Sequence, residues 1–507
     1  MNKDNTEIFV ASPGTGKTTR LMDILGELLE QGVSAKRIVY TTMSRAGSSE
    51  GRERAIERFS GLSEAHMPYF NTLHSIGYRS CPSKDLIKKR DFVQIGSKTG
   101  FFMTGTDGSK PFAIGNKMMV LENTMRLKQM TPEEAFMQDR DSKFALSDFI
   151  KVCNYYQSYK TEQGIIDFTD MILDFVKTQQ TLPVDYLFID EAQDSSKLQW
   201  DMLRLIGSTC KKVWVAGDDK QCIYEFAGAD SKTLIELPGK RTILDQSYRI
   251  PRAIHVYAEA IAARIKVKAD YTFKPREAEG LVKRLDSVNK LPLEKGTWLL
   301  IARHTKALEA YEHACIDKGM LFTSKAQLTE GVTLPTKADI TAVIACNKLQ
   351  KGGIIPAKEA KILYGNYLPA RSHVKYGMKQ SLKNLEDDDL LNLDKLVDSF
   401  GLTKRASQGS WDKTLKLPEN TMEYLKKVEA TEGLLASPRI EINTIHAVKG
   451  KEADNVAIIP DLNYLSDRSL KENPDTEHRI FYVGATRAKE ALFLLPKSKI
   501  ATYGYPI

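Results

Sequence analysis

The sequence predicts an α/β fold built in more than one domain, and three observations carry that expectation. Residues 7–11 (E-I-F-V-A) form a strand-sized apolar run that enters a glycine-containing loop and then a helical stretch to about residue 31. A second apolar run at 186–189 ends in D-E-A-Q-D, and a third at 212–216 ends in G-D-D-K-Q. At 507 residues the chain is too long for one ordinary hydrophobic core.

Taking the elements in order, residues 12–19 read S-P-G-T-G-K-T-T. Strand, glycine-bearing loop and helix are the context a phosphate-binding loop requires. Gly14 and Gly16 let successive backbone N–H groups turn inward, and the helix behind them adds partial positive charge. Ser12, Gly14, Thr15, Gly16, Lys17, Thr18 and Thr19 are therefore the expected ATP-phosphate set. Lys17 is expected on the β- and γ-phosphates, with the Thr18 hydroxyl on Mg²⁺. Ala11 stands where the general pattern has its first glycine. A phosphate loop alone implies an ATPase or GTPase and nothing narrower.

The second strand delivers Asp190 and Glu191. A carboxylate at the carboxyl end of a core strand completes a Mg²⁺ site, which suits Asp190. Glu191 beside it is the expected proton acceptor for an attacking water. An acidic turn opening the helix through residue 205 is the alternative reading. The third strand leads to Gln221, placed to sense a γ-phosphate or, read alone, merely part of a polar loop.

The bulk properties exclude several classes. The composition, 42% hydrophobic and 27% charged without low-complexity tracts, is globular, and no solenoid repeat shows. A net charge of +8 favours a polyanionic partner only weakly. Apolar runs such as 298–302 and 456–459 are strand-sized, so no membrane span is expected. The polar start, which carries both charge signs, argues against a secretory signal, and a cytoplasmic or nucleoid setting follows. Cys81, Cys153, Cys210, Cys222, Cys315 and Cys346 form no C-x-x-C pair and read as scattered reduced thiols. The eight histidines show no ligand spacing, so no transition-metal site is expected.

In order along the chain, these segments resemble the superfamily 1A helicases of the UvrD/PcrA/Rep type. The loop at 11–19 resembles motif I, D-E-A-Q-D at 190–194 motif II, and G-D-D-K-Q-C-I-Y-E-F-A-G-A at 217–229 motif III. Q-S-Y-R at 246–249 is similar to motif IV, T-I-H-A-V-K-G-K-E at 444–452 to motif V, and Y-V-G-A-T-R-A at 482–488 to motif VI. Weaker matches are 42–46 to motif Ia, T-L-H-S at 72–75 to motif Ib, and D-F-T-D at 167–170 to a short acidic motif.

The resemblance implies ATP and Mg²⁺ as cofactors and two RecA-like P-loop motor domains, each with a mainly helical insertion. It implies Arg249 and Arg487 as arginine fingers of the second motor domain, Tyr248 stacked on adenine and Glu452 on the ribose. Tyr224 and Phe226 are implied as base-stacking aromatics, with Thr42, His74, His446 and Lys449 near the nucleic acid. The departures are Ala227 and Ser247, where arginine and asparagine are usual, and Phe226, where tryptophan is common. With ten residues before Ala11, no upstream adenine-reading segment is expected, and adenine recognition rests on Tyr248.

The motif spacing predicts a first motor domain at 1–88 and 157–242, an insertion at 89–156, a second motor domain at 243–350 and 439–507, and an insertion at 351–438. Alternating charges in the first insertion read as a solvated helical face. Both insertions look short for the family. The implied function is an ATP-dependent 3′→5′ DNA helicase acting on single-stranded DNA and duplex junctions, with replication or repair proteins as partners. A protein-stripping translocase, an RNA-directed helicase and a scaffold with an inactive ATP site are the competing readings.

Overall fold

In a computed structural model, the chain forms two compact units: residues 1–280 with 468–486, and residues 281–467 with 487–507. The structure describes all residues except 2, 44, 60, 80–84, 106–112, 140–141, 325–333 and 435–436, and the side chains of residues 45 and 46. Cys81 and part of the motif Ia match therefore lie outside the described residues.

The first unit is built on five parallel strands: β1 (Thr6–Ala11), β2 (Ile38–Thr41), β3 (Tyr186–Ile189), β4 (Lys212–Gly217) and β5 (Lys240–Leu244). Their order is β2-β3-β4-β1-β5. Alternate residues supply two separate cores. Ile8, Val10, Val39, Leu187, Ile189, Val213 and Val215 face one, and Phe9, Ile38, Tyr40, Phe188, Trp214 and Ala216 face the other. Burial on both faces is why these strands read as continuous apolar runs rather than alternating ones.

Helix α1 (Lys17–Glu30) follows the phosphate loop and buries Leu21, Met22, Ile24, Leu25 and Leu28, a stripe at helical spacing. It stops where Gly32, at φ 83°, lets Val33 N–H reach back to the Leu28 carbonyl. The helical insertion includes α2 (Ile114–Lys128) and α3 (Leu146–Gln163), with its own core around Ile95, Met118, Phe149, Val152 and Tyr156. Helices α4 (Phe168–Lys177) and α5 (Lys197–Ser208) return to the sheet, contributing Ile172, Phe175, Trp200 and Leu203 to its core. Helix α6 (Pro474–Ala485) completes the unit.

The charges of the insertion are not all solvated. Glu122 is buried and the Arg126 side chain is only 9% exposed, and Arg126 donates to Asp167 at 2.6 Å and Asp170 at 2.9 Å. Lys160 joins the same two carboxylates at 2.7 and 2.6 Å. These cations hold the Asp167 carboxyl well below the usual range. The expectation of a solvated face missed this because the partners lie in the acidic D-F-T-D segment, outside the insertion.

The second unit carries six parallel strands: β6 (Leu281–Arg284), β7 (Trp298–Ala302), β8 (Phe322–Ser324), β9 (Ile440–Thr444), β10 (Ala453–Ile459) and β11 (Ala488–Leu494). They run in the order β8-β9-β7-β10-β11-β6. One face buries Trp298, Leu300, Ile440, Ile442, Ala457, Ile459 and Phe493. A helical insertion packs its own core from Ala342, Val343, Leu363, Tyr364, Leu396, Trp411 and Leu425.

The α/β class with two parallel sheets and helical insertions is as expected. The compact units divide the chain differently from the motif spacing. Residues 243–280 and 468–486 pack with the first unit, and helix Lys337–Gln350 belongs to the second insertion's core. The reason lies in β5, which pairs with β1 in a register placing Leu244 beside Ala11 and so delivers residues 245–249 to the phosphate loop. Among the described residues no helix is long and apolar enough to cross a membrane.

Candidate functional site

The loop after β1 is shaped by two left-handed glycines, Gly14 at φ 70° and Gly16 at φ 80°. A Cβ at Gly14 would also collide with the Cβ of Arg249, so both conformation and space exclude a larger residue there. Thr15 donates its hydroxyl to the Ser12 carbonyl at 2.9 Å, and Lys17 Nζ lies 3.4 Å from the same oxygen. Lys17 is buried and Thr19 exposed. Gly16 caps α1 without a side chain, so the first-turn N–H groups stay available to an anion.

Asp190 follows β3 directly, and its backbone N–H is held by the Thr41 carbonyl at 3.0 Å. Its Oδ2 accepts the Thr18 hydroxyl at 2.7 Å and the Tyr40 phenol at 2.9 Å. Burial, with the Glu191 charge second, pushes the Asp190 carboxyl up, while the Thr18 and Tyr40 hydrogen bonds oppose this. A hydroxyl and a buried carboxylate paired beside a phosphate loop are hard oxygen donors that fit Mg²⁺.

Glu191 sits in the left-handed region, at φ 51° and ψ 42°, a costly conformation for a residue with a Cβ. The side-chain amide of Gln193 donates to its carboxylate. Gln193 in turn accepts the Asp218 N–H at 3.0 Å, tying the end of β3 to the end of β4. The alternative reading, in which Asp194-Ser195-Ser196 starts the helix, holds for Ser196. It caps α5 through a reciprocal pair with Gln199 and leaves Asp190 and Glu191 outside the helix.

At the end of β4, Gln221 Nε2 donates to Asp218 Oδ2 at 2.8 Å. The other Asp218 oxygen accepts the Tyr271 phenol at 2.7 Å. Lys220 is buried, donating to the Tyr271 carbonyl at 2.7 Å with its ammonium 4.1 Å from the Tyr271 ring centre. Burial, followed by the Asp218 charge, pushes the Asp219 carboxyl up to about 6.

The Q-S-Y-R segment docks on the phosphate loop. Ser247 donates its hydroxyl to the Pro13 carbonyl at 2.9 Å, and Tyr248 N–H donates to the Gly14 carbonyl at 2.8 Å. Ser247, the departure from asparagine, thus makes a loop contact of its own. Tyr248 is 74% exposed, which leaves it accessible for stacking. Arg249, expected from the second motor domain, lies in the first unit beside Gly14.

In the second unit, residues 445–452 lead from the carboxyl end of β9 to the amino end of β10. Ile445 N–H bonds the Ala302 carbonyl at 3.0 Å, so His446 and Lys449 follow an anchored start. Glu452 ends the segment 3.6 Å from Lys489. Arg487 is buried, with Nη1 3.4 Å from the Lys451 carbonyl.

Comparison with known families decides the relationship. The UvrD/REP helicase N-terminal domain matches residues 2–241, and the UvrD-like helicase C-terminal domain matches 440–495, together more than half of the chain. The chain belongs to the UvrD-like helicases of superfamily 1. It is similar to the ATP-dependent DNA helicase PcrA of Staphylococcus epidermidis, 26% identical over 278 residues. It is likewise similar to PcrA of Staphylococcus aureus, 26% identical over 274 residues, each match covering 49% of this chain. The chain spans only 36% of the length of those relatives.

In this UvrD-like helicase the first unit therefore brings together Lys17, Thr18, Asp190, Glu191, Gln221, Tyr248 and Arg249, while Glu452, His446, Lys449 and Arg487 belong to the second. Of the nucleic-acid candidates, Phe226 is 64% exposed and meets Tyr224 edge-on at 6.1 Å. Thr42 is buried with its hydroxyl 3.2 Å from that of Ser48. His74 lies edge-on to Phe168 at 6.1 Å, and Phe168 is half exposed. Phe168 was legible only as part of an acidic motif. Tyr40 and Tyr271 carried no signal as site residues, because each acts through a partner remote in sequence, whereas Gln193 and Asp218 lie inside the matched motifs beside residues that were singled out.

Proposed function

We propose that this chain is an ATP-hydrolysing motor that moves 3′→5′ on single-stranded DNA and opens duplexes bearing a 3′ tail. The observation that carries the reading is the Thr18 hydroxyl donating to the Asp190 carboxylate beside the phosphate loop, with the adjacent Glu191 carboxylate held by the Gln193 amide.

In this reading Thr18 and Asp190 hold Mg²⁺, which when bound neutralises charge on the phosphates. Lys17 and the first-turn N–H groups of α1 hold the β- and γ-phosphates, with Ser12, Thr15 and Thr19 around them. Glu191 accepts the proton of the attacking water, and Gln193 fixes that carboxylate's direction. Gln221 senses the γ-phosphate. Arg249 and Arg487 stabilise charge that develops during phosphoryl transfer. Tyr248 stacks on adenine and Glu452 contacts the ribose.

In the same reading Tyr224 and Phe226 stack on bases, and Thr42, His74, His446 and Lys449 are further contacts to the nucleic acid. Stacking is sequence-tolerant, which suits a motor that must release each base. The two-motor arrangement with two helical insertions is part of this proposal, as are replication or repair proteins as partners. Polarity follows from which motor domain grips the strand more tightly when ATP is bound.

The test pairs matched 3′-tailed and 5′-tailed DNA and RNA duplexes under single-turnover conditions, with ATPase measured alongside. Opening of the 3′-tailed DNA alone is expected. Opening of only the 5′-tailed duplex overturns the polarity. Opening of neither, beside vigorous DNA-dependent ATPase, replaces unwinding with protein-stripping translocation.

A further inference from the structure

Glu225 stands between Tyr224 and the exposed Phe226, and a buried arginine from α6 takes hold of it. Arg479 is 2% exposed. Its Nη1 donates to Glu225 Oε1 at 2.7 Å, its Nε to the Asp219 carbonyl at 3.1 Å, and its Nη2 to the Val267 carbonyl at 2.6 Å. Thr476, one turn earlier on α6, donates its hydroxyl to the other Glu225 oxygen at 2.6 Å.

Asp219 lies two residues before Gln221, and Glu225 four residues after it. A single planar guanidinium therefore clasps the loop at its phosphate-sensing end and at its aromatic end. The fork geometry matters, because the guanidinium spreads its donors over three nitrogens in one plane, whereas an ammonium carries all its donors on a single atom and does not span the same three acceptors. The opposite side of the aromatic turn is backed by α2. Thr124 Oγ1 lies 3.5 Å from the Phe226 carbonyl, and Leu127 closes on Gly228, which adopts φ 101°. Between these supports the turn has little freedom to move except together with the residues Arg479 holds.

We propose that Arg479, through Glu225, is a positioning residue that couples the Asp218–Gln221 end of this loop to nucleic-acid stacking on Tyr224 and Phe226. Arg479 holds both ends of the loop and anchors them to the Val267 carbonyl. Its three donor directions are filled by Asp219, Glu225 and Val267, and its role is to make displacement at one end displacement at the other. The inference rests on the motor reading above.

The experiment uses the full chain with oligo(dT) as probe and measures ATP turnover with and without DNA, together with the thermal midpoint. A second readout is the fluorescence of 2-aminopurine placed in a bound strand, which reports stacking. Arg479→Gln and Glu225→Gln are expected to keep DNA-free turnover within about twofold, to lose about fivefold or more of the DNA stimulation, and to lose the stacking signal. Arg479→Lys is expected to restore little, since it keeps the charge without the fork. Loss of DNA-free and DNA-stimulated turnover in the same proportion, or full stimulation in the Gln variants, overturns the inference. If Arg479→Gln fails to fold, Glu225→Gln, on the partly exposed partner, decides alone. A wild-type chain without any DNA stimulation overturns the motor reading and this inference with it, whereas a stimulated wild type with unaffected variants overturns only the inference.

Discussion

The Thr18 hydroxyl donates to Oδ2 of Asp190 at 2.7 Å, joining two residues 172 positions apart in the chain. The same oxygen is held by Tyr40 at 2.9 Å, so the Asp190 carboxylate is aimed before any cation arrives. Tyr40→Phe removes that aim while conserving volume in the core. We expect the Mg²⁺ concentration for half-maximal ATPase to rise by roughly 10-fold, as for the loss of partners behind a metal ligand. A magnesium titration reads this directly, and an unchanged midpoint would mean that Thr18 alone orients the carboxylate.

Lys17→Ala removes a buried cation from the phosphate loop, where its ammonium lies near the Ser12 carbonyl. Turnover is expected to fall by about 10²-fold or more, the scale of losing one charge stabiliser, with the fold intact by circular dichroism. Retention of a large part of the activity would move phosphate stabilisation elsewhere.

Glu191→Gln keeps shape and loses the base. ATP and Mg²⁺ binding are expected to persist on Lys17, Thr18 and Asp190, while hydrolysis slows by roughly 10²–10⁴-fold. Gln193→Ala removes one hydrogen bond from the Glu191 carboxylate and its link to Asp218, so a smaller loss of kcat is expected with binding unchanged. Nucleotide binding that fell in step with turnover in Glu191→Gln would make Glu191 a metal ligand instead.

Arg249→Ala and Arg487→Ala are each expected to lower kcat far more than nucleotide affinity, because their interaction strengthens in the reacting state. Equal losses in equilibrium binding and in single-turnover rate would reduce them to ground-state contacts.

Asp219 supplies a pH signature. Burial and the Asp218 charge raise its carboxyl from the ordinary 3.8 to about 6, so the folded state favours the protonated form. Its contribution to stability is full below about 3.8 and is lost as pH rises toward 6. His304, lowered to about 4 mainly by burial, acts with the opposite sign, losing its contribution as pH falls below 6.5. The diagnostic is therefore the difference between wild type and Asp219→Asn. The variant is expected to gain stability relative to wild type as pH rises from 4 to 7, read from urea midpoints. A difference that does not change with pH would show that Asp219 titrates normally.

The sequence by itself determined the α/β class, the phosphate loop, the acidic strand end and the family, because each depends on residues close together in the chain. Lys17 and Thr18 follow a glycine loop, and Asp190 and Glu191 end one apolar run, so local spacing is enough to find them. Only the tertiary structure decided which remote residues complete those groups. Tyr40 reaches Asp190 because β2 pairs with β3 and draws the two strand ends together. Ser247 reaches Pro13 because β5 pairs with β1, a register that also brings Arg249 to the first unit. Arg479, Tyr271 and the buried Arg126–Lys160 cluster stayed hidden for the same reason. A charged or polar side chain looks solvated in a linear sequence until packing supplies the partner that makes its burial favourable.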